Sequence, residues 1–258
     1  MRLLTVLLVL AALSLYSAAQ TSPAAMAPVS VLTLQTKTAH VQGIDTDGNH
    51  LWVTSVDRAS RKGFLQEFSV ADGRMERSVE IQDGDRFHPG GIAADADSIW
   101  IPVAEYRAKS TAVIQRRSKR TLVLESQYAV DDHIGCIAVT PEFLIGGNWD
   151  SRDFYFWDHQ GKLIRRVSST TGNAYQDIKF RGGQVVASGT LTGSRSAIDW
   201  LDLSMGLVHR LELGKTDRSQ PYTREGMTLF QDRLWLLPED GESRLFQFEL
   251  PRPASRVP

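Results

Sequence analysis

A single cysteine, Cys136, stands in a chain of 258 residues. It excludes an intramolecular disulfide and any zinc cluster built on several thiolates. Neither sign of charge is in excess, with Lys+Arg 29 against Asp+Glu 30. That balance excludes binding to a polyanion through bulk charge, and no nucleic-acid partner is expected. Proline is scarce at 10 residues, and with 42% hydrophobic content the composition excludes wholesale disorder. Also missing are a Gly-x-Ser-x-Gly elbow, a His-Glu-x-x-His pair, a phosphate-cradling glycine loop and a dinucleotide fingerprint. Serine-nucleophile chemistry and nucleotide use are therefore not expected.

What is present begins with a leader. Arg2 precedes an almost unbroken apolar run from Leu3 to Tyr16, closed by the small residues Ser17, Ala18 and Ala19. This order describes a signal peptide over residues 1–19, so the mature protein is expected outside the inner membrane, periplasmic or extracellular. An uncleaved anchor is the alternative, but the run is short for a span, and no stable membrane insertion is expected after cleavage. Residues 20–28 read as a flexible N-terminus and 251–258 as a tail, leaving 29–250 as one domain.

That domain contains a repeat. Five segments superpose without a gap: HVQGI from His40, HPGGI from His88, HIGCI from His133, AYQDI from Ala174 and TREGM from Thr223. Eight residues after each closing Ile or Met stand Trp52, Trp100, Ile145, Val186 and Trp235. Each unit then reads as a hairpin followed by two more strands, with turns at Asp47-Gly48-Asn49, Asp72-Gly73, Gln160-Gly161 and Met205-Gly206. The last unit ends one strand early, and Val29–Gln35 precedes the first unit as a donor for the missing strand. The expected fold is all-β, a five-bladed β-propeller of four-stranded blades whose ring is closed by residues 29–35 on the last blade. A β-sandwich is the alternative. The Trp column reads as packing between blades.

Antiparallel pairing sets the start of each first strand beside the end of the second. His40, His88 and His133 are thereby expected at one channel mouth near Asp57, Glu105 and Asp150. Glu225, Glu239 and Asp240 add carboxylates, and Gln42, Asn148, Tyr175 and Gln176 add neutral polar groups. Three imidazoles with a carboxylate can hold Zn²⁺ and acidify a bound water, whereas carboxylates with Asn148 and carbonyls can hold Ca²⁺. Glu105 and Glu225 are the candidate proton carriers, and Gln42, Asn148, Asp150, Tyr175, Gln176 and Asp240 the candidate ligand contacts. A purely structural role for the three histidines, capping strand ends, is the competing reading. Asp45–Asn49 reads as a turn rather than a calcium loop, and Arg116–Arg120 as a solvated hairpin tip.

The HPGGI segment, WIPVAEYR from Trp100 and DHIG from Asp132 resemble an uncharacterised bacterial family of secreted, propeller-like proteins. The EGM opening at Glu225, with Leu234-Trp235, is more weakly similar to units of lactonase- and phytase-like propellers. In lactonase-type propellers a channel calcium held by Glu, Asn and Asp is the catalytic centre, which would implicate Glu225, Asn148 and Asp240. The expected function is an exported propeller that binds a small ligand or a divalent metal, Zn or Ca, at the mouth and hydrolyses an ester or lactone. The alternative is a non-catalytic propeller that binds protein or glycan in the cell envelope, for which an exposed apolar rim would be the mark.

Overall fold

A computed structural model describes residues 26–191 and 195–250. The expected leader, most of the expected flexible N-terminus and the C-terminal tail lie outside the described residues. Among the described residues no helix is long and apolar enough to cross a membrane.

The chain forms five antiparallel sheets in a ring, each sheet a blade. Blade one runs His40–Thr46, His50–Asp57, Lys62–Ser69 and Met75–Glu80 from axis to rim. Blade three runs Ile134–Val139, Leu144–Asn148, Asp153–Trp157 and Leu163–Ser168, and blade four Ala174–Arg181, Gln184–Leu191, Arg195–Leu201 and Leu207–Leu213. In blade five, Glu225–Phe230, Arg233–Pro238 and Arg244–Glu249 are completed by Ser30–Thr33, which pairs antiparallel with Arg244–Gln247. The N-terminal strand thus closes the ring and covers what would be an open edge.

Blade two departs from the pattern. Its inner strand is split into Arg86–Pro89 and Ala93–Ala94, followed by Ser98–Glu105, Ala112–Ser118 and Leu124–Val130. Between the two pieces Gly91 leaves its own sheet, donating to the Gly135 carbonyl and accepting from Ile137 N–H. A Cβ at Gly90 would lie 2.1 Å from the Gly135 carbonyl oxygen, so only glycine permits this approach.

Alternation along the strands buries one residue of the Trp column between each pair of blades. Trp52, Trp100, Ile145, Val186 and Trp235 fall in five separate apolar clusters, one per blade boundary. The fourth repeat column, Gly43, Gly91, Cys136, Asp177 and Gly226, meets at the axis. A Cβ at Gly43 would lie 2.4 Å from Gly91 Cα. The space the glycines leave is taken by Asp177, which accepts the backbone N–H groups of Ile44, Ile178 and Met227 and the Lys179 ammonium. The axis is therefore filled at this level.

The Arg116–Arg120 segment is not a solvated tip. Arg117 is buried between blades one and two, donating to Gln115 Oε1 and the Leu122 carbonyl. Arg116 lies over the Trp100 ring. The Asp45–Asn49 segment is a turn, with Asp47 Oδ1 accepting from Asn49 and His50 N–H.

Candidate functional site

The third repeat column stands at the mouth that carries His40, His88 and His133. A β-bulge falls at Gln42, Gly135 and Gln176 in blades one, three and four. A bulge turns its extra residue out of the ladder and so re-aims a side chain. Glu225 holds this column in blade five with φ +98°, a backbone region that a non-glycine residue occupies only at a cost of about 1–3 kcal/mol. Two of these side chains reach the first-column histidine of the next blade. Gln42 Oε1 lies 2.9 Å from His88 Nε2, and Glu225 Oε1 lies 3.9 Å from His40 Nε2.

Gln42 donates its Nε2–H to the Val41 carbonyl, which fixes the amide so that Oε1 accepts from His88. The His88 Nδ1 atom then carries a lone pair, and it is buried without a hydrogen-bond partner among the described residues. His133 donates Nδ1–H to the Arg107 carbonyl at 3.0 Å, which leaves the lone pair on Nε2. His40 directs Nδ1 to Glu239 Oε2 at 2.9 Å, and the same oxygen accepts Val41 N–H. Burial pushes the His88 imidazole down to about 3 and His133 to about 4, so both are neutral at pH 7. The Glu239 hydrogen bond raises His40 instead.

Glu225 has the most perturbed carboxyl of the mouth. Its side chain is 6% exposed, and burial pushes it up to about 7. Among the described residues no hydrogen bond reaches that carboxyl, its nearest cations being His40 at 3.9 Å and Arg224 Nε at 3.8 Å. Aromatic rings cluster round His88 and His133. The His88 ring lies 4.3 Å from Tyr106 and 5.4 Å from His133, and His133 meets Trp149 edge-on at 4.5 Å.

The other residues expected at the mouth have local duties. Glu105 is engaged by Arg107 and Thr111, and the Arg107 hydrogen bond holds its carboxyl low. Asn148 Oδ1 caps the turn at Arg152 and Asp153, while Asp150 is exposed beside Arg152. The Tyr175 hydroxyl is tied to Asp199 at 2.7 Å. Asp240 is bound by Arg244, although its Oδ1 is buried without a partner among the described residues. Gln176 is half-buried at its bulge. Asp57, expected beside His40, caps its own turn at Ala59 and Ser60.

Among the described residues, the group whose potential ligand atoms all lie within 4.8 Å of one another is His50, Glu67 and Glu76. It stands at the far end of blade one, away from His40, His88 and His133. Glu67 there is already neutralised by Arg77 on both oxygens and accepts Trp52 Nε1–H, so little charge remains for a cation. The sequence reading overlooked Tyr106 and Trp149, which stand in no repeat column; their signal was only an aromatic residue directly after Glu105 and Asn148.

Solved structures resemble this one in fold. The glutaminyl cyclase of Myxococcus xanthus superposes with a TM-score of 0.66 at 13% identity, over 87% of this chain and 97% of that one. The WD40 domain of Neurospora crassa Pan2 gives 0.49 at 9% identity, over 80% of this chain and 64% of that one. No curated protein matches the sequence. Residues 27–173, more than half of the chain, match the "Family of unknown function (DUF6454)".

Proposed function

The chain belongs to that family of unknown function, and from this premise we propose that the mouth is a small-ligand site in which Glu225 carries a proton at neutral pH. The observation that carries the reading is Glu225 itself. It is a buried carboxyl with a strained backbone, no hydrogen bond among the described residues, and an affinity for protons placed near pH 7. A proton carrier works best when its pKa lies near the operating pH. Strain of this kind persists only where the surroundings enforce it. His40 and Glu239 beside it adjust the local charge, and His88 and His133 are neutral.

The reaction class consistent with such a group is acid–base cleavage or cyclisation at an acyl carbon, of an ester, a lactone or an amide. The Myxococcus relative in fold is named a glutaminyl cyclase, so a peptide with N-terminal glutamine belongs in the panel beside esters and lactones. Turnover of one of these by the purified protein, lowered about 100-fold or more in Glu225→Gln, would support the proposal. Equal rates in the two proteins would overturn the role of Glu225.

One observation favours a metal at the same place. Each of the three mouth imidazoles commits one ring nitrogen to a protein acceptor, as histidines that bind metals through the other nitrogen do. A Zn²⁺ ion would need the three rings to draw together, because the present arrangement does not bring their nitrogens within 4.8 Å of one another. Calcium on Glu225, Asn148 and Asp240 has less support, since Asn148 and Asp240 are engaged by Arg152, Asp153 and Arg244. Elemental analysis beside a triple variant, His40→Ala, His88→Ala and His133→Ala, separates these. Stoichiometric zinc lost in the variant favours the histidines, and calcium kept in both favours the carboxylates.

The binding-module alternative rests on a different observation. The outer strands of blades two, three and four begin with exposed apolar pairs, Val123-Leu124, Leu163-Ile164 and Leu207-Val208. Retained ligand turnover after these pairs are made polar would count against it.

A further inference from the structure

The inner strands meet the propeller axis at two successive levels. The closing residues of the five repeat segments, Ile44, Ile92, Ile137, Ile178 and Met227, form the first. The residues two places on, Thr46, Ala94, Val139, Phe180 and Leu229, form the second. Along an antiparallel edge strand every second residue turns its N–H and C=O away from the ladder. At the first level that direction is the axis, because Ile44, Ile178 and Met227 donate to the Asp177 carboxylate and Ile137 donates to the Gly91 carbonyl. The main-chain groups two residues further along face the axis as well.

The second level is only half paired. Asp45 turns its carboxylate to blades one, two and five, accepting from Thr46 N–H, Ala94 N–H and the Thr228 hydroxyl. The N–H groups of Val139, Phe180 and Leu229, on blades three, four and five, have no acceptor among the described residues. Main-chain donors are rarely left so unless water or a ligand reaches them. All five second-level residues line one cavity of about 290 Å³, at the end of the axis opposite His40, His88 and His133. Val139, Phe180 and Leu229 are partly exposed there, whereas Ile137, Ile178 and Met227 are fully buried. Lys179 lines the cavity too, but its ammonium is committed to Asp177 and to the Ile92 and Ile178 carbonyls. Arg181 is not committed. It makes no hydrogen bond among the described residues, and its ion-pair partner Asp232 is 3.8 Å away on a side chain that is 89% exposed. A pair as open as this holds a guanidinium weakly. Gln231 adds an uncommitted side-chain amide to the same lining.

We propose that this far cavity binds a small hydroxy carboxylate. Its carboxylate accepts the unpaired N–H groups of Val139, Phe180 and Leu229 and the Arg181 guanidinium, and its hydroxyl donates to the axis-facing carbonyls of the same strands. A carboxylate is acceptor-only and suits a lining whose open main-chain donors stand beside a free guanidinium. The axis already uses carboxylates in this way. Asp177 gathers the N–H groups of three blades at the first level, and Asp45 serves one side of the second. The ligand completes the other side, where Asp45 does not reach.

Amide NMR of the folded protein, titrated with sodium glycolate, ethylene glycol and sodium phosphate, tests this directly. Glycolate is expected to move the Val139, Phe180 and Leu229 N–H signals downfield together along one saturating curve. It should bind about tenfold or more tighter than ethylene glycol, its neutral counterpart. Arg181→Gln, at an exposed strand end, should weaken glycolate about tenfold and leave ethylene glycol unchanged. No binding of glycolate, shifts confined to other amides, or equal binding of ethylene glycol would each overturn the proposal. So would a glycolate affinity unchanged in Arg181→Gln, or phosphate binding more tightly at the same three amides. If Arg181→Gln does not melt cooperatively, the three amide shifts in the unaltered protein decide alone. The cavity lies at the opposite end of the axis from Glu225, so failure here leaves the proposed function of the mouth standing.

Discussion

Asp177 Oδ1 lies 2.6 Å from the Lys179 ammonium on the propeller axis, both side chains almost wholly buried. From blade four, this carboxylate also receives the Ile44 N–H of blade one and the Met227 N–H of blade five. Lys179 in turn donates to the Ile92 carbonyl of blade two. One ion pair thus ties four blades together at the centre of the ring. Replacing Asp177 by Ala leaves a buried ammonium without its counter-ion and three inner-strand N–H groups, of Ile44, Ile178 and Met227, unpaired. The expected loss is about 3–5 kcal/mol, read from the urea midpoint of unfolding. A loss below about 1 kcal/mol would mean the axis rearranges without cost and the hub assignment is wrong.

The closing strand gives a contrast within four residues. Leu34 is 4% exposed inside the cluster between blades five and one, whereas Val31 is 49% exposed on the same segment. Leu34→Ala should cost about 2–5 kcal/mol, and Val31→Ala should stay within about 0.5 kcal/mol. Equal effects in thermal melts would place the closure energy in the backbone pairing rather than in the anchored side chain.

Much of this architecture was legible because a repeat superposes unlike blades. The Trp52 column announced the boundary clusters, and the early end of the fifth unit announced the strand at Ser30–Thr33. The site was harder to read. A repeat column places Gln42 and Glu225 at equivalent positions but does not say that a bulge or a positive φ turns them toward the next blade. Nor does it show that Tyr175 lies in the apolar cluster between blades three and four, with its hydroxyl against Asp199. Asn148 and Asp150 belong to a turn whose hydrogen bonds are local, and short polar side chains at strand ends satisfy neighbouring N–H groups before they serve a ligand. Arg117 sits in a charged run that looked solvated, and only the packing of blade one against blade two buries it.

An acid limb of the stability curve is expected from the two neutral imidazoles. His88 falls to about 3 and His133 to about 4 in the folded protein, while both return toward 6.5 on unfolding. Between these values the unfolded chain binds more protons, so stability falls as pH drops from about 6.5 toward 3. His88→Gln should flatten that limb, measured as urea midpoints at half-unit pH steps. A limb of unchanged slope would show that His88 is protonated in the folded state and has lost its partnerless environment.

Glu225 acts in the opposite sense. Its folded value near 7 lies above the unfolded 4.5, so the folded state holds the proton more tightly. Stability is fully present below about 4.5 and is lost as pH rises through 7. His40, raised by Glu239, adds a loss of the same sign as pH rises above 6.5. Glu225→Gln removes the ionisation and should make the protein more stable at pH 8, by up to about 3 kcal/mol, with no gain at pH 4. That pH-selective gain distinguishes a carboxyl kept in a costly state from one that merely packs. A variant destabilised equally at both pH values would show that Glu225 is structural, and the unpaired carboxyl at the mouth would then need no ligand to account for it.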